Sequence, residues 1–283
     1  MPVVHTSEIV EGARRERGGV VAFNVITLEH AEAVVTGAEA AGLPVIVQIS
    51  ENVVRYHMGQ VAPLMRASAA VAESAGVPVA LHLDHVEDKA LFHAAASMGF
   101  SSVMFDASTL AFEENVESTR AAADWAHRHG MWLEAELGEI GGKNGVHAPG
   151  ARTDPVGAAD FVARTGVDGL AVAVGSSHAM TTRVATLDLG LIADLRAALP
   201  IPLVLHGSSG VSDSDLVAAV AAGITKVNVG TILNVAFTGA IRAYLAADET
   251  VVDPRKYLAP ARCDVARVVT GMLMNVAVPT PPM

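Results

Sequence analysis

The sequence predicts an α/β chain folded as a (β/α)8 TIM barrel with an extra C-terminal helix. Three observations carry that prediction. Short β-rich apolar runs alternate with Ala-rich helical segments throughout, eight such pairs recur at intervals of about 25–35 residues, and no linker-like shift in composition interrupts them. One domain spanning residues 1–283 is expected. A doubly wound open sheet is the competing arrangement. It would usually place a dinucleotide glycine fingerprint after an early strand, and Phe23-Asn24-Val25-Ile26 is not glycine-rich.

In order, the expected strands are Val20–Ile26, Pro44–Ser50, Pro78–His82, Ser102–Asp106, Met131–Leu137, Gly169–Val174, Ile201–His206 and Thr225–Val229. They read as apolar runs of the kind that parallel strands make when both faces are buried. Between and after them lie helical segments at Leu28–Ala41, Val61–Ser74, Lys89–Met98, Phe112–His129, Pro155–Arg164, Leu187–Leu199, Ser212–Ala222 and Ile232–Ala246. Asp154 before Pro155 and Ser212 before Asp213 are good N-caps. The pairs Ala41-Gly42, Ala75-Gly76, Thr165-Gly166 and Ala222-Gly223 supply the glycine that commonly ends a helix. The segment from about 253 to 274 is the extra terminal helix.

Composition narrows the function. An apolar fraction of 51% is ample for a sizeable core, and 19 Lys+Arg against 30 Asp+Glu leave a net charge of −11. That balance argues against nucleic acid or an anionic membrane as partner. It leaves a phosphorylated substrate open, because a few amides and one or two cations can bind phosphate on an acidic protein. Cys263 is the only cysteine, so neither an intramolecular disulfide nor a cysteine metal cluster is available. Met1-Pro2-Val3-Val4-His5 shows no secretory signal, and no apolar run reaches the ~18 residues of a membrane span. A cytoplasmic location is expected.

Barrel active sites gather at the C-terminal ends of the strands. The polar residues at those ends are Asn24, Ser50, Asp84-His85, Asp106, Glu134 with Glu136, His178, His206 and Asn228. His85, His178 and His206 close the third, sixth and seventh strands, so a barrel would let them share one metal beside Asp84. Zinc suits three neutral imidazoles, and cobalt or another divalent ion would fit the same ligands. Strand alternation puts Glu134 and Glu136 on one face, as an inward pair or a plain interior polar layer. His5, His57, His93, His127 and His129 lie on helices or loops and are expected to face water. After the seventh strand, Gly207-Ser208-Ser209-Gly210 offers consecutive amides beside hydroxyls, and after the eighth, Asn228-Val229-Gly230-Thr231 opens a helix. These two loops form the common phosphate site of barrels.

In seven motifs the chain resembles the class II, metal-dependent ketose-bisphosphate aldolases. They are Ala22-Phe23-Asn24, Val45 to Ser50, His82-Leu83-Asp84-His85, Leu133-Glu134-Ala135-Glu136-Leu137-Gly138, Leu203 to Gly210, Lys226-Val227-Asn228-Val229 and Asp253-Pro254-Arg255-Lys256-Tyr257. The likeness covers nearly the whole chain and is closest to the branch containing tagatose-bisphosphate and short-form fructose-bisphosphate aldolases. It implies reversible cleavage of fructose or tagatose 1,6-bisphosphate into dihydroxyacetone phosphate and an aldehyde. His85, His178 and His206 would hold zinc, which would stabilise the enediolate of the triose half. Asp84 would be the acid/base at the aldehyde-derived hydroxyl. Gly207, Ser209, Asn228 and Thr231 would bind the triose phosphate near a monovalent cation, sodium or potassium. Ala179 stands where the family has glycine, and its amide could still serve. Asn24 and Ser50 match substrate-contacting positions, and Glu136 matches an acid that can hold the metal in an alternative position. Arg255 matches an arginine that in some members reaches the far phosphate from a neighbouring subunit, so a homo-oligomer, dimer or tetramer, is expected.

Two departures stand out. Where the family carries Gly-Gly-x-Glu-Asp after the fifth strand, this chain reads Gly141-Gly142-Lys143-Asn144-Gly145-Val146-His147. The amide Asn144 cannot be the base that the glutamate provides. His147 has a suitable unperturbed pKa and becomes the candidate substitute. After the eighth strand, Ile232 replaces the usual acidic residue, which leaves the sugar open. Rival readings are an aldolase for another phosphorylated ketose, a metal-dependent hydrolase, and a non-catalytic barrel that keeps only a metal and phosphate pocket.

Overall fold

A computed structural model of the chain describes residues 2–137, 152–176 and 182–277. The elements run α1 (Thr6–Arg15), β1 (Val20–Asn24), α2 (Leu28–Ala41), β2 (Val45–Ser50), α3 (Glu51–Tyr56), α4 (Ala62–Glu73), β3 (Val79–Val86), α5 (Lys89–Met98), β4 (Ser102–Phe105) and α6 (Phe112–Arg128). They continue with β5 (Trp132–Glu136), α7 (Pro155–Thr165), β6 (Gly169–Ala171), α8 (Leu189–Ala198), β7 (Leu203–Leu205), α9 (Asp213–Ala222), β8 (Ile224–Val229), α10 (Thr231–Ala247) and α11 (Pro254–Val276). The strands pair in sequence order and close, β1 lying parallel to β8 with Ala22 opposite Asn228. This is the (β/α)8 barrel, with α11 as its extra C-terminal helix.

Strand alternation sorts the side chains into two cores. Val21, Phe23, Val47, Leu83, Leu133 and Val227 point outward into the layer beneath the helices. Val20, Ala22, Ile46, Ala80, Trp132, Ala171 and Val204 point inward and fill the lower half of the barrel, closed from below by Ile9 and Val10 of α1. Gly169 makes room for Trp132, since a Cβ there would sit 2.5 Å from the indole ring. On the outside, Gly37 lets α2 lie against α11; a Cβ there would meet Val269 at 2.7 Å, and Thr270 Oγ1 donates to the Gly37 carbonyl at 3.0 Å.

Differences from the sequence expectation have local causes. β6 stops at Ala171, because Val172 still donates to Val204 but the chain then turns through Gly175 at φ 120°. α1 and α3 are helices the apolar pattern did not announce. α1 is capped by the His5 ring, which accepts from Ser7, with Glu8 returning to the His5 amide. α3 starts at the last residue of β2, where Ser50 Oγ accepts from the Val53 amide. His5 and His57 are accordingly half-buried and hydrogen-bonded, His57 Nε2 lying 2.7 Å from the Ile26 carbonyl, whereas His93, His127 and His129 are exposed. No helix among the described residues is long and apolar enough to cross a membrane.

Candidate active site

The C-terminal mouth of the barrel opens into a cavity of about 300 Å³. Asn24, Ser50, Asp84 and His85 line it from β1, β2 and β3. Gly207, Ser208 and Ser209 enter from the loop after β7, with Asn228, Gly230 and Thr231 from β8 and the start of α10. Val229 is fully buried and packs outward against the helices, so its side chain is not part of the lining.

A regular strand would turn Asp84 and His85 to opposite faces. β3 avoids this with a bulge: Leu83 pairs with Val103 but Val86 pairs with Phe105, one residue out of step. His85 takes φ 47°, a left-handed conformation unusual for a side-chain-bearing residue. Both side chains consequently reach the cavity.

Asp84 is 3% exposed and is gripped by amides on both oxygens. Asn24 Nδ2 donates to Oδ2 at 3.0 Å, with Gln48 Nε2 at 3.4 Å, and Asn228 Nδ2 lies 3.4 Å from Oδ1. These donors fix the direction of the carboxyl group. His82 sits below it, Nε2 at 4.0 Å from Asp84 Oδ1, with Nδ1 bonded to Ser102 Oγ at 2.7 Å. Full burial, reinforced by the Lys226 charge, drives the His82 pKa well down, so it is a neutral ring.

The metal-ligating candidates converge beside Asp84. His85, Glu136 and His206 each offer a donor atom, and these atoms all lie within 4.8 Å of one another. Two imidazoles and a carboxylate form a donor set typical of catalytic zinc, so the residues present fit a divalent ion. Each ligand is held from behind. His85 Nδ1 is 2.9 Å from Asp106 Oδ2, and Asp106 also accepts from the Ser108 hydroxyl at 2.7 Å. Burial resists charge on His85, but Asp84, the Asp106 bond and Glu136 outweigh it and push its pKa up to about 10. Burial likewise opposes charge on Asp106, yet the His85 bond and the Ser108 donors hold it well below the usual carboxylate range. A metal binding here must displace the His85 proton.

His206 Nε2 lies 2.9 Å from Glu134 Oε1, which leaves Nδ1 on the Glu136 side, 3.8 Å from Oε2. Glu134 Oε2 in turn receives Lys226 Nζ at 2.7 Å, and Lys226 also donates to Asn228 Oδ1 at 2.6 Å. Glu134 and Lys226 are both fully buried, so each neutralises the other's otherwise prohibitive charge. The two strand-five glutamates therefore face different partners: Glu136 joins the candidate donor set and Glu134 is hydrogen-bonded to His206. Ser176 Oγ donates to the His206 carbonyl at 2.6 Å. His178, Ala179, Asn144 and His147 lie outside the described residues.

The far side of the cavity is built by the loop after β7 and the start of α10. Gly207 at φ 68° turns the chain into a short 3-10 turn at Ser208–Gly210, and Ser209 Oγ accepts from the Ile232 amide at 3.1 Å. Gly230 and Thr231, where α10 begins, line the same space.

The sequence profile of class-II fructose-bisphosphate aldolases matches residues 4–277. The chain belongs to the class-II fructose-bisphosphate aldolase family. It is 38% identical over 277 residues to a fructose-bisphosphate aldolase from Geobacillus stearothermophilus, covering 96% of each chain. Among solved structures it resembles the YdjI aldolase from Escherichia coli K12, with TM-score 0.83, 31% identity and 97% of each chain covered. It also resembles a fructose-bisphosphate aldolase from Campylobacter jejuni, with TM-score 0.82, 25% identity, 97% of this chain and 95% of that one.

For a class-II aldolase, the sequence identified the mouth-facing residues but missed much of what aims them. Gln48, Asn52 and Asn234 were unmarked, and Asp106 and Lys226 had no role attached. Lys226 did leave a signal: a lysine amid the strand run Ile224–Val229 must meet a buried acid. Arg255 projects to solvent on the first turn of α11, bound to Asp253 at 2.7 Å, and is no part of its own chain's cavity.

Proposed function

We propose that the chain is a zinc-dependent aldolase that reversibly cleaves a ketose 1,6-bisphosphate, fructose 1,6-bisphosphate first and its C4 epimer tagatose 1,6-bisphosphate second, into dihydroxyacetone phosphate and an aldehyde. The observation that carries this reading is the juxtaposition of three features at the barrel mouth: the oriented carboxylate of Asp84 lining the cavity, the His85–Glu136–His206 donor set that reaches it through His85, and an anion cradle formed by Gly207–Ser209 and the start of α10. His85, His178 and His206 would hold zinc, with Glu136 as a ligand in an alternative position, and the bound ion would supply a Lewis acid to stabilise negative charge on the triose half; cobalt would fit the same donors.

Asp84 takes the proton of the hydroxyl that becomes the aldehyde oxygen as the carbon–carbon bond breaks, and returns it in condensation. Asn24, Gln48 and Asn228 keep its oxygens aimed. The amides of Gly207 and Ser209 and the start of α10 hold the triose phosphate, with a sodium or potassium ion nearby. His147 delivers the proton to the triose carbon in cleavage and removes it in condensation, in place of a glutamate at Asn144. Arg255 serves a neighbouring subunit, and the apolar face that α10 exposes at Val235 and Leu245 is consistent with a homo-oligomer. The role is glycolytic and cytoplasmic.

A coupled retro-aldol assay on both sugars, with EDTA and then zinc, tests this. EDTA-sensitive triose phosphate release restored by zinc is the expected result, and abolished turnover in His147→Ala supports the base assignment. No turnover on either sugar with zinc bound would favour the second reading, which Asn144 motivates: another phosphorylated ketose, or a non-catalytic metal and phosphate binder.

A further inference from the structure

At the opposite end of the barrel, below the strands, lies a second cavity of about 220 Å³. Its rim carries Arg14, Arg15 and Arg17 from the end of α1 and Arg196 from the end of α8. Four of the chain's 19 basic residues thus surround one small space on a protein of net charge −11. Only Arg14 makes an ion pair among the described residues, a long one of 3.8 Å to Glu11, and it also donates to the Pro200 carbonyl at 2.5 Å. Among the described residues, Arg15, Arg17 and Arg196 meet no carboxylate within ion-pair distance.

Two backbone features hold the rim in place. Arg17 adopts φ 55° where the chain leaves α1, a position glycine ordinarily takes. Gly223 sits at φ 146°, and a Cβ there would lie 2.7 Å from the Cβ and Cδ of Arg196, so the missing side chain seats the arginine stem over the cavity. Beneath the rim the floor is apolar: Leu203 and Ile224 are buried, with Leu199 beside them. Thr225, 5% exposed, lines the same space, and its hydroxyl has no hydrogen-bond partner among the described residues.

We propose that this cavity binds a nucleoside polyphosphate at a site separate from the active site. Guanidinium forks match the paired oxygens of adjoining phosphates. The apolar floor suits the body of a heteroaromatic base, and the Thr225 hydroxyl can meet a polar atom on its edge. Inorganic polyphosphate would use the rim alone and forgo the floor.

ADP and, separately, inorganic pyrophosphate are titrated into the full-length zinc-loaded protein, and amide hydrogen exchange locates the site. ADP is expected to protect residues 13–18 and 196–203. The double variant Arg15→Gln/Arg196→Met keeps the apolar stems and removes two charges; it should bind ADP at least tenfold more weakly with retro-aldol kcat/KM unchanged. Pyrophosphate should bind wild type at least tenfold more weakly than ADP. Unchanged ADP affinity in the variant, protection confined to Ser208–Gly210 and the start of α10, or no binding would each overturn the site. Equal affinity for the two ligands would overturn the ligand class.

Discussion

Halfway along the barrel axis the interior changes character. Below, Val20, Ile46, Ala80, Trp132 and Val204 form an apolar plug sealed by α1. Above, His82, Glu134 and Lys226 begin a polar column that rises to Asp84, His206 and the cavity. The same eight strands supply both halves, so burial alone does not distinguish them. In the lower half each side chain is satisfied by contact and can be described by volume. In the upper half each is satisfied by a named partner, and removing one exposes the charge of another. The lower half should therefore respond to substitution in stability, and the upper half in chemistry.

The strongest test of that division is removal of the metal. Chelation should abolish triose phosphate release while far-ultraviolet circular dichroism stays native, and added zinc should restore it; unfolding on chelation would mean that the upper half also carries the fold. Next comes Asp84→Asn, which keeps the shape and the Asn24 contact but cannot carry the proton. We expect a loss of about 10³-fold in kcat, roughly 4 kcal/mol of barrel-mouth chemistry, with zinc content by elemental analysis unchanged. Trp132→Ala probes the other half. Emptying its place against Gly169 should cost about 3 kcal/mol in denaturant unfolding and leave kcat/KM of the folded fraction at the wild-type value. Smallest is Ser209→Ala at the anion cradle, where the loss of one hydrogen bond should raise KM about fivefold, a little under 1 kcal/mol, with kcat little changed.

The same division explains what was legible in the sequence. The barrel was, because eight apolar runs separated by capped helices leave few alternatives, and α2 and α5 even keep the expected ends at Leu28–Ala41 and Lys89–Met98. The mouth was legible too, since polar residues at strand ends stand out against the runs they terminate. Partnerships were not. Glu134 meets Lys226 across 92 positions of chain, and His85 meets Asp106 across a pair whose register has slipped. Such contacts depend on how strands are staggered around a closed sheet, and the stagger is not written in any one segment. α1 escaped notice for a different reason: its sequence is mostly polar, and its start rests on a histidine cap.

The bulge in β3 makes this chain unusually sensitive to length at one point. Only Asp84 and His85 lie between Leu83 and Val86, so losing either codon would let the strand run flush against β4, and no apolar contact beneath the helices need be lost. Inheritance of the fold would be untouched, yet either the carboxylate or the imidazole would be gone and the survivor would lose the bulge that aims it. A lineage could thus discard the reaction and retain the barrel in one step, and the only trace would be a gap of one in an otherwise well-aligned strand.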